Sequence, residues 1–555
     1  MSVSVRRPLS VGATLLVLLF CGFLYFPGRT FLQSDTQIYL PILDRLADPT
    51  LYRHDPVAYR PHVSYTIYDE AALTLRAVTG LDFEHVLGLQ QLVFRFCGLI
   101  GVYLLGLSCG LGPPWAILLA SVYGLGATIV GPSVLIAEYE PVPRGYAVPL
   151  LLLGLGLAAH ERWIGAGLAA GVAILYHPPT TFPVLIVSGF ALWRTREPGD
   201  SRWRALLPVA GAVALAYLLS RLQRGATEPQ QFFATIDPAL EQLQRLRGSY
   251  NFISIWIERW VWHWAFVFAL AALSWWRLRQ TAAVPSFVLN LAAGFLGYGL
   301  VVAPLSFLLL ERVKWSMMPQ FQPLRALLWV TLFAMLGSAL NGIRAAQSRR
   351  MLAASLWFAV AYTITGQLDP AKLPMLAAGD PVMRNRLLVF MGLGLLSALA
   401  VRLSSLPVLA AALLLPFFAI PQLGKVRNYP VLDHPEIHAL AEWAQKNTDK
   451  DTVFQFPDAG QALYPGLFRV FAQRTVYADW KGGGQVNLLK DFADDWWKRW
   501  RAAGEPKVDP AAFWKDRAPV LAELGIGYVV LQPAHRLPDR EPVYSNSKYV
   551  VYKLR

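Results

Sequence analysis

The sequence predicts a mainly α, polytopic transmembrane helix bundle with a small C-terminal α/β domain outside the membrane. Of the 555 residues, 55% are hydrophobic and only 15% are charged, whereas soluble domains carry roughly 25% charged residues. The apolar residues are gathered in long runs, and a helix needs about 20 of them to cross the roughly 30 Å hydrocarbon core of a bilayer. This composition therefore indicates a chain that folds in lipid.

On that criterion the chain contains about thirteen membrane spans. The first follows a pair of arginines and resembles a signal peptide, but no small-residue cleavage site follows it, and its length of about 18 residues is enough to span. We therefore expect it to be retained as the first helix. The predicted spans are residues 9–26, 87–108, 113–131, 145–159, 164–177, 179–194, 204–221, 255–275, 284–310, 324–341, 351–366, 385–401 and 404–421.

The charges of the connecting loops predict the orientation. One alternating set of loops is short and rich in arginine, as at residues 6–7, 277–279 and 344–350, which is typical of the cytoplasmic side. The other set holds the long and acidic segments. We therefore expect a multi-pass protein of the bacterial inner (plasma) membrane with a cytoplasmic N-terminus and an extracytoplasmic, or periplasmic, C-terminal domain.

The composition changes near residue 426, which predicts two domains. Residues 1–425 would form the transmembrane module, including an outer loop at 27–86 with juxtamembrane helices, and residues 426–555 the soluble outer domain. Hydrophobic periodicity within this outer domain predicts both helices and strands. The predicted helices are residues 434–446 and 487–502, and the predicted strands are residues 452–456, 525–531 and 548–553.

The basic charge and the cysteines have simple explanations. Lys and Arg exceed Asp and Glu by 50 − 36 = 14. Such an excess favours nucleic-acid binding in a soluble protein, but membrane proteins retain arginine in their cytoplasmic loops, so we expect no nucleic-acid partner. Cys21, Cys97 and Cys109 all lie in apolar stretches, and their spacing predicts neither a disulfide nor a zinc site.

The first outer loop presents an acid only a few residues after the first helix. Asp35 lies in the run Gln33-Ser34-Asp35-Thr36-Gln37. One interpretation is that Ser34 or Asp35 caps the helix that follows. The other is a functional carboxylate at the membrane surface, within reach of a lipid head group. The sequence leaves both open. Asp48 and Asp55, each followed by proline, predict turns.

The next two outer loops supply further polar candidates. Glu138, Glu140 and Arg144 lie between apolar helices, a costly arrangement if they face lipid and an inexpensive one if the loop is solvated. His177 precedes a short Pro-Pro turn, so it must lie close to the helix ends. For each of these residues a structural role remains the alternative to a functional one.

Three cations complete the set of candidates. Arg312 and Lys314 fall on the predicted outer side, against the positive-inside tendency, so an anion could hold them there. Arg95 falls well inside the second span, where an unpaired arginine is expensive. We expect Arg95 to face a carboxylate or phosphate in the bundle interior, with a structural ion pair as the equal alternative.

This arrangement resembles the GT-C superfamily of polytopic glycosyltransferases, which use polyprenyl-phosphate-linked sugars. The resemblance covers most of the chain: a first helix, a long outer loop that opens with an acid, many further helices and a soluble outer C-terminal domain. The segments similar to bacterial members of that superfamily are Asp35-Thr36-Gln37-Ile38-Tyr39-Leu40-Pro41, Asp48-Pro49, Leu51-Tyr52 and His177-Pro178.

The resemblance implies roles for the candidates. Asp35 would be the catalytic base or a metal ligand, and Glu138 or Glu140 would be a second acidic site residue. The protein would move a sugar, hexose or pentose, with inversion, from a polyprenyl-phosphate donor to a glycan, lipid or protein acceptor. Arg95, Arg144, Arg312 and Lys314 would bind the leaving phosphate, with His177 as hydrogen-bond donor. No cofactor can be inferred from the sequence, although Asp35 and Glu140 could hold Mg²⁺ or Mn²⁺.

The sequence departs from the family pattern in two places. The acidic pair of several families is a single Asp35 here, and the Trp-Trp-Asp-Tyr-Gly motif of oligosaccharyltransferases is replaced by Ala478-Asp479-Trp480-Lys481-Gly482-Gly483. Both departures favour a monosaccharide donor. The alternatives are a ligase that moves a whole lipid-linked glycan and a transporter or flippase of lipid-linked sugars. Trp480, Trp496, Trp497 and Trp500 would either stack on sugars or, as we favour, form the core of the outer domain or anchor it at the head groups.

Overall fold

The computed structural model describes most of the chain and shows it to be mainly helical. The described residues are 7–59, 66–131, 134–195, 201–222, 232–281, 283–366, 379–423, 432–487, 490–503 and 508–554. Before residue 223 the α-helices are α1 (Arg7–Leu24), α2 (Thr36–Ala47), α3 (Pro56–Tyr59), α4 (Tyr68–Thr79), α5 (Phe83–Ser108), α6 (Pro113–Gly124), α7 (Pro143–Ala159), α8 (Trp163–Tyr176), α9 (Pro178–Arg194) and α10 (Leu206–Leu222).

The remaining helices continue to the end of the chain. They are α11 (Pro238–Arg247), α12 (Ile253–Arg259), α13 (Val261–Arg279), α14 (Ser286–Ser306), α15 (Met318–Phe321), α16 (Leu327–Gln347), α17 (Met351–Thr365), α18 (Pro381–Leu403), α19 (Leu406–Ala419), α20 (Pro435–Asn447), α21 (Tyr464–Ala472), α22 (Lys490–Ala503), α23 (Pro510–Asp516) and α24 (Ala518–Glu523). A π-helical stretch, Phe307–Arg312, follows α14.

Seven short strands lie within the described residues. They are β1 (Thr128–Ile129), β2 (Val134–Leu135), β3 (Val453–Gln455), β4 (Thr475–Val476), β5 (Tyr528–Leu531), β6 (Tyr544–Ser545) and β7 (Val550–Lys553). β1 and β2 form an antiparallel ribbon, and the others form one sheet in the order β4-β3-β5-β7-β6. β3 is parallel to both β4 and β5, whereas β7 is antiparallel to β5 and β6.

Every predicted span coincides with helical structure. Among the described residues, six helical segments are long and apolar enough to cross a membrane, and four more helices are apolar but shorter, so the chain is a multi-pass membrane protein. The number of crossings and their direction stay predictions. The six long segments are Phe83–Ser108, Arg202–Arg221, Ser286–Arg312, Met318–Gln347, Pro381–Leu403 and Leu406–Leu423.

Two predicted spans differ in detail from the helices observed. The span at 113–131 is shorter than predicted because α6 ends at Gly124 and the chain turns through Gly126, with a φ of 65°, into the β1–β2 ribbon. The span at 255–275 is broken at Trp260, between α12 and α13. The sequence stays apolar around Gly126, whereas Glu258 and Arg259 lie directly before Trp260. Hydropathy averaged over the length of a span predicted neither interruption.

The chain divides into two compact units. The first contains residues 1–29, 87–218 and 250–428, and α16 runs through its core, with nearly all of its residues buried. A helix that is apolar on every face is stable only when it is surrounded. Trp329 of α16 is fully buried and stacks on Phe295 of α14, with ring centroids 5.5 Å apart.

The second unit contains residues 30–86, 219–249 and 429–555. Its sheet is flanked by helices of the tail, and α2 and α11 from the earlier segments pack on α21 and α22 respectively. All the helices and strands predicted for the tail are confirmed, within a few residues. The predicted boundary at 425/426 lies outside the described residues and stays a prediction. The compact unit that contains the tail also contains most of the predicted outer loop.

Candidate functional site

A constrained turn precedes Asp35 in the second unit. Leu32 is buried and has a φ of 60°, a left-handed conformation that a branched side chain rarely adopts. Its N–H donates to Oγ1 of Thr36 at 2.7 Å, and its carbonyl accepts from Nε2 of Gln37 at 2.7 Å. These two bonds stabilise the turn, so the backbone that carries Ser34 and Asp35 is held in one conformation.

Asp35 lies at the N-cap position of α2, but its side chain makes no capping hydrogen bond to the helix. The capping interpretation of Asp35 is therefore wrong. Instead, Oδ1 of Asp35 lies 2.5 Å from Nζ of Lys481, which also donates to Oγ of Ser34 at 3.0 Å. The side chains of Asp35 and Lys481 are 26% and 14% exposed. This partly buried ion pair, with Ser34, is called the Asp35–Lys481 site below.

The residues on both sides of Lys481 are held in place. Oδ2 of Asp479 accepts from the N–H of Gly482 at 3.0 Å, and the carbonyl of Asp479 accepts from Nε1 of Trp496 at 3.0 Å. Arg247 donates to the carbonyl of Trp480 at 2.5 Å, and its guanidinium lies 3.7 Å from the centre of the Trp480 ring. Lys481 therefore projects from a backbone that is fixed before and after it.

A buried ion triad anchors this segment further. Nε of Arg469 donates to Oδ2 of Asp55 at 2.6 Å, Nη2 of Arg469 donates to Oδ1 of Asp479, and all three side chains are at most 1% exposed. Burial by itself lowers the pKa of the Arg469 guanidinium, but the two carboxylates outweigh it and raise that pKa. The turn predicted at Asp55 is confirmed by the bond from the N–H of Val57 to Oδ1.

Four tryptophans of the tail pack on one another: Trp480, Trp496, Trp497 and Trp500. Trp496 is buried, and its ring centroid lies 6.2 Å from that of Trp480 and 5.4 Å from that of Trp500. Trp497 also stacks on Trp496. These contacts support the interpretation of this cluster as part of the core of the second unit.

In the first unit, Arg95 binds backbone rather than a carboxylate. Its guanidinium donates to the carbonyls of Gly22 at 3.2 Å, Gly28 at 2.8 Å and Glu138. Three carbonyl oxygens therefore offset part of the free-energy cost of burying the guanidinium charge. This geometry favours a structural role for Arg95, which joins the end of the first helix to the loop that contains Glu138.

Glu138 and Arg144 form an ion pair with each other. Oε1 of Glu138 accepts from Nε of Arg144 at 2.6 Å and from the N–H of Leu135 at 3.1 Å, and the Glu138 side chain is 4% exposed. Nε2 of Gln91 donates to the Glu138 carbonyl at 2.9 Å. The structure thus pairs the predicted acid with a predicted phosphate ligand, which favours a structural role for both. Glu140 is also buried.

His177 joins α8 to α9. Its Nδ1 accepts from the N–H of Thr180 at 3.2 Å and caps α9. With Nδ1 as acceptor, the neutral ring carries its proton on Nε2. His177 therefore caps α9, and its role as a hydrogen-bond donor to substrate stays a prediction that concerns Nε2.

Arg312 and Lys314 follow the π-helical stretch. Glu311 accepts from the N–H of Ser254 at 3.0 Å and from its hydroxyl at 2.5 Å, which anchors this stretch to the start of α12. Arg312 is exposed, and its guanidinium lies 5.2 Å from the centre of the Phe307 ring. Lys314 has a φ of 56°. These two cations therefore follow a segment that is anchored by their acidic neighbour.

One oxygen of Asp35 is already held by an ammonium, which bears on the predicted divalent cation. Mg²⁺ binds oxygen ligands at about 2.0–2.1 Å, but an ammonium lies 2.5 Å from Oδ1 of Asp35. Throughout the part of the chain that the structure describes, no three His, Cys, Asp or Glu side chains form a group suited to a metal. A divalent cation at Asp35 and Glu140 stays a prediction, and the chemistry proposed below uses none.

Sequence reasoning did not identify Lys481, Asp55 or Arg469 as partners of the site. The Asp479-Trp480-Lys481-Gly482 run was noticed only as a departure from a family motif. Two signals could have drawn attention to these residues: a charged residue before consecutive glycines, and an arginine in the apolar helix α21. Neither signal identifies the residue that each charged side chain contacts, because Asp35 and Asp55 are distant from Lys481 and Arg469 in the sequence.

Comparisons with known proteins return similar backbones and little sequence similarity. A family model described as a domain of unknown function (DUF6798) matches residues 435–503, which include Asp479, Trp480 and Lys481. Among curated proteins, no sequence matches the chain. The family match thus covers one part of the second unit.

Three solved structures illustrate the similarity in fold. The arabinofuranosyltransferase AftD from Mycobacteria is 16% identical, with a TM-score of 0.43 over 96% of this chain and 35% of that one. ArnT from Cupriavidus metallidurans is 15% identical, with a TM-score of 0.46 over 99% and 97%. The oligosaccharyltransferase AglB from Archaeoglobus fulgidus, solved with an inhibitory peptide and a dolichol-phosphate, is 16% identical, with a TM-score of 0.41 over 94% and 69%.

These matches concern the course of the backbone and no individual side chain. The chain spans about a third of the length of AftD. The roles of the residues in this chain are argued from its own contacts.

Proposed function

We propose that the protein transfers a single sugar from a polyprenyl-phosphate donor to an acceptor hydroxyl on the extracytoplasmic side of the membrane, with inversion at the anomeric carbon. The observation that carries the proposal is the Asp35–Lys481 site. A carboxylate that caps no helix is held on a fixed turn and remains 26% exposed. This combination suits a group that must meet a substrate.

Asp35 acts as the general base. As the acceptor oxygen forms its bond to the anomeric carbon, its proton passes to Asp35 and the bond from that carbon to the phosphate oxygen breaks. An ionised carboxylate offers about four lone-pair positions, enough to hold the Lys481 ammonium and to accept the proton of an acceptor hydroxyl. Lys481 and Ser34 fix the orientation of the carboxylate, and orientation governs the efficiency of proton transfer.

The leaving polyprenyl phosphate gains one negative charge in this step. In the first unit, Arg312 and Lys314 are proposed as ligands of a phosphate group, with Nε2 of His177 as a hydrogen-bond donor. Charge-assisted bonds of this kind are about twice as strong as neutral ones. Arg144 and Arg95 are assigned to structure instead, because their donors bind Glu138 and backbone carbonyls.

The test is a transfer assay with the full-length protein in lipid nanodiscs. Polyprenyl-monophosphate hexoses and pentoses carrying radioactive sugars are supplied together with membrane extract as a source of acceptor. The proposal predicts that at least one donor loses its label to an acceptor while free polyprenyl phosphate appears in equal amount. In proteoliposomes, movement of an intact donor between leaflets would instead establish the flippase alternative.

A panel of polyprenyl-diphosphate oligosaccharides separates the ligase alternative. If only these donors react, the protein moves whole glycans and the single-sugar proposal is wrong. If no donor reacts and no lipid-linked sugar changes leaflet, both the transferase and the flippase are excluded.

A further inference from the structure

A polar pocket of about 540 Å³ lies in the second unit, apart from the Asp35–Lys481 site. Its lining includes two arginines, two aspartates and two tyrosines: Arg53, Tyr59, Asp451, Tyr477, Asp495 and Arg499. The volume falls in the range of about 300–1,000 Å³ that is usual for small-molecule sites. Arg53 and Tyr59 come from the segment around α3. Asp451 lies just before β3 and Tyr477 just after β4, and the other two residues lie in α22.

The charges in this pocket are paired. Nη1 of Arg53 lies 3.5 Å from Oδ2 of Asp451, and Nε of Arg499 lies 3.3 Å from Oδ1 of Asp495. Apart from His54, the charged side chains of the lining are two arginines and two aspartates, so their formal charges balance. An anion would therefore meet two carboxylates, and a cation would meet two guanidinium groups, so the pocket favours a neutral ligand.

The same pairs offer both donors and acceptors. A guanidinium has five N–H donors, and one nitrogen of each arginine contacts its aspartate. The aspartate oxygens accept hydrogen bonds. Sugar hydroxyls donate and accept at once, which makes them the neutral groups that match such a lining.

Two aromatic rings complete the match. Tyr59 is 56% exposed, and Tyr477 is partly buried with the Arg499 guanidinium 5.0 Å from its ring centre. Tyrosine combines a flat apolar face with a hydroxyl. A sugar ring likewise presents an apolar C–H face and a hydroxylated edge. Its C–H face can stack on a tyrosine ring, and its hydroxyls can hydrogen-bond with a tyrosine hydroxyl.

We infer that this pocket is a binding site for a neutral oligosaccharide, separate from the transfer site. The inference goes beyond the proposed function because it concerns binding by residues that take no part in proton transfer. An Asp35→Asn protein therefore binds the saccharide as the unmodified protein does, whatever the outcome of the transfer assay.

The test measures binding to the full-length protein in nanodiscs. The probes are maltotriose, cellotriose and mannotriose, with trigalacturonate as the anionic comparison, each titrated to about 10 mM by calorimetry and by saturation-transfer NMR. We expect at least one neutral trisaccharide to bind, and trigalacturonate to bind at least about tenfold more weakly because it brings three carboxylates to Asp451 and Asp495.

Two variants locate the binding. Arg53→Ala and Tyr59→Ala change side chains that are more than half exposed, so they leave the fold intact, and each weakens binding by about fivefold or more. The matched control is Arg536→Ala, which removes an arginine that is 53% exposed and lies 3.7 Å from Glu541; it leaves binding unchanged.

Three results would overturn the inference. The first is that none of the three neutral trisaccharides binds. The second is that trigalacturonate binds as tightly as they do. The third is that binding survives both Arg53→Ala and Tyr59→Ala, which would place the saccharide elsewhere on the protein.

Discussion

Lys481 and Asp35 are 446 positions apart in the chain, and the lysine ammonium lies 2.5 Å from a carboxylate oxygen of the aspartate. The pair joins the turn before α2 to the Trp480-Lys481-Gly482 segment of the tail. Asp35 is held by the Leu32 turn, and Lys481 is held through Asp479 and Trp480. Both partners are therefore positioned by contacts that do not depend on the ion pair itself.

Replacing Asp35 by asparagine should lower sugar transfer by about 10² to 10⁴ without unfolding the protein, because removal of a general base has this effect on rate. The measurement is initial transfer rate at saturating donor. Asp48→Asn is the matched control, since Asp48 is an exposed carboxylate of the same outer segment that bonds to Thr50. Full activity of Asp35→Asn would disprove the assignment of the base.

Replacing Lys481 by methionine should lower the transfer rate by roughly 10- to 100-fold, because a hydrogen bond to a charged group is worth about 1.5–3 kcal/mol. Lys481→Arg should recover part of this loss, since it restores the cation. Lys450→Met, which breaks an exposed contact to Asp48 at 3.5 Å, should leave the rate unchanged. Equal rates for Lys481→Met and the unmodified protein would remove Lys481 from the site.

Replacing Arg469 by methionine should destabilise the protein by about 3–5 kcal/mol, because it leaves the buried carboxylates of Asp55 and Asp479 without a partner. The measurement is the thermal unfolding temperature of the full-length protein in nanodiscs. Arg536→Met removes an exposed arginine and should cause no comparable change. An unchanged unfolding temperature for Arg469→Met would show that the triad is not stabilising.

The ion pair between Glu138 and Arg144 can be separated from catalysis by a double-mutant cycle. Glu138→Gln and Arg144→Met should each lower the unfolding temperature, and together they should cost less than the sum of the two, because each single change leaves a buried charge unpaired. Glu140→Gln is the comparison. Loss of transfer activity at an unchanged unfolding temperature would identify whichever glutamate shows it as catalytic.

The stability of the protein should fall as the pH rises from 5 to 8, in part through Asp69. Burial raises the pKa of the Asp69 carboxyl to about 8, and the neighbouring Glu70 acts in the same direction. The ordinary pKa is 3.8, so the unfolded chain ionises first. The contribution of Asp69 is therefore full below about pH 4 and is lost as the pH approaches 8.

Asp69→Asn tests this dependence, because an amide does not titrate. The fall in unfolding temperature between pH 5 and pH 8 should be smaller in this variant than in the unmodified protein. Asp48→Asn should leave the fall unchanged, since hydrogen bonds from Thr50 lower the pKa of Asp48 and keep it ionised across this interval. An equal fall in all three proteins would exclude Asp69 as its source.

The local structure could be predicted from the sequence because it depends on neighbouring residues. Long apolar runs have one stable form in lipid, the helix, since every backbone polar group must be satisfied within the segment. The run that became α5 was therefore predictable, as was the amphipathic α20. The interruptions at Gly124 and Trp260 were not predicted, because hydropathy averaged over a span does not resolve a local break, even where Glu258 and Arg259 precede Trp260.

The candidate acids could be predicted from the sequence because they lie in loops between apolar helices. The residues that they contact could not be predicted. Asp35 was predicted as either a cap or a site residue, and only the structure shows that its side chain meets Lys481. Arg95 was expected to meet a carboxylate or phosphate, and the structure shows three carbonyls instead. Hydropathy and spacing hold no information on which of several distant groups will satisfy a buried charge.

The sequence by itself determined that this is a multi-pass helical membrane protein with an α/β tail and an acid soon after its first helix. The tertiary structure decided that Asp35 pairs with Lys481, that Arg469 joins Asp55 to Asp479, and that Arg144 neutralises Glu138. The physical reason is the sequence separation between the residues that interact. Helices and turns form from interactions within about ten residues of the chain, whereas an ion pair between distant positions exists only where packing brings the two side chains together.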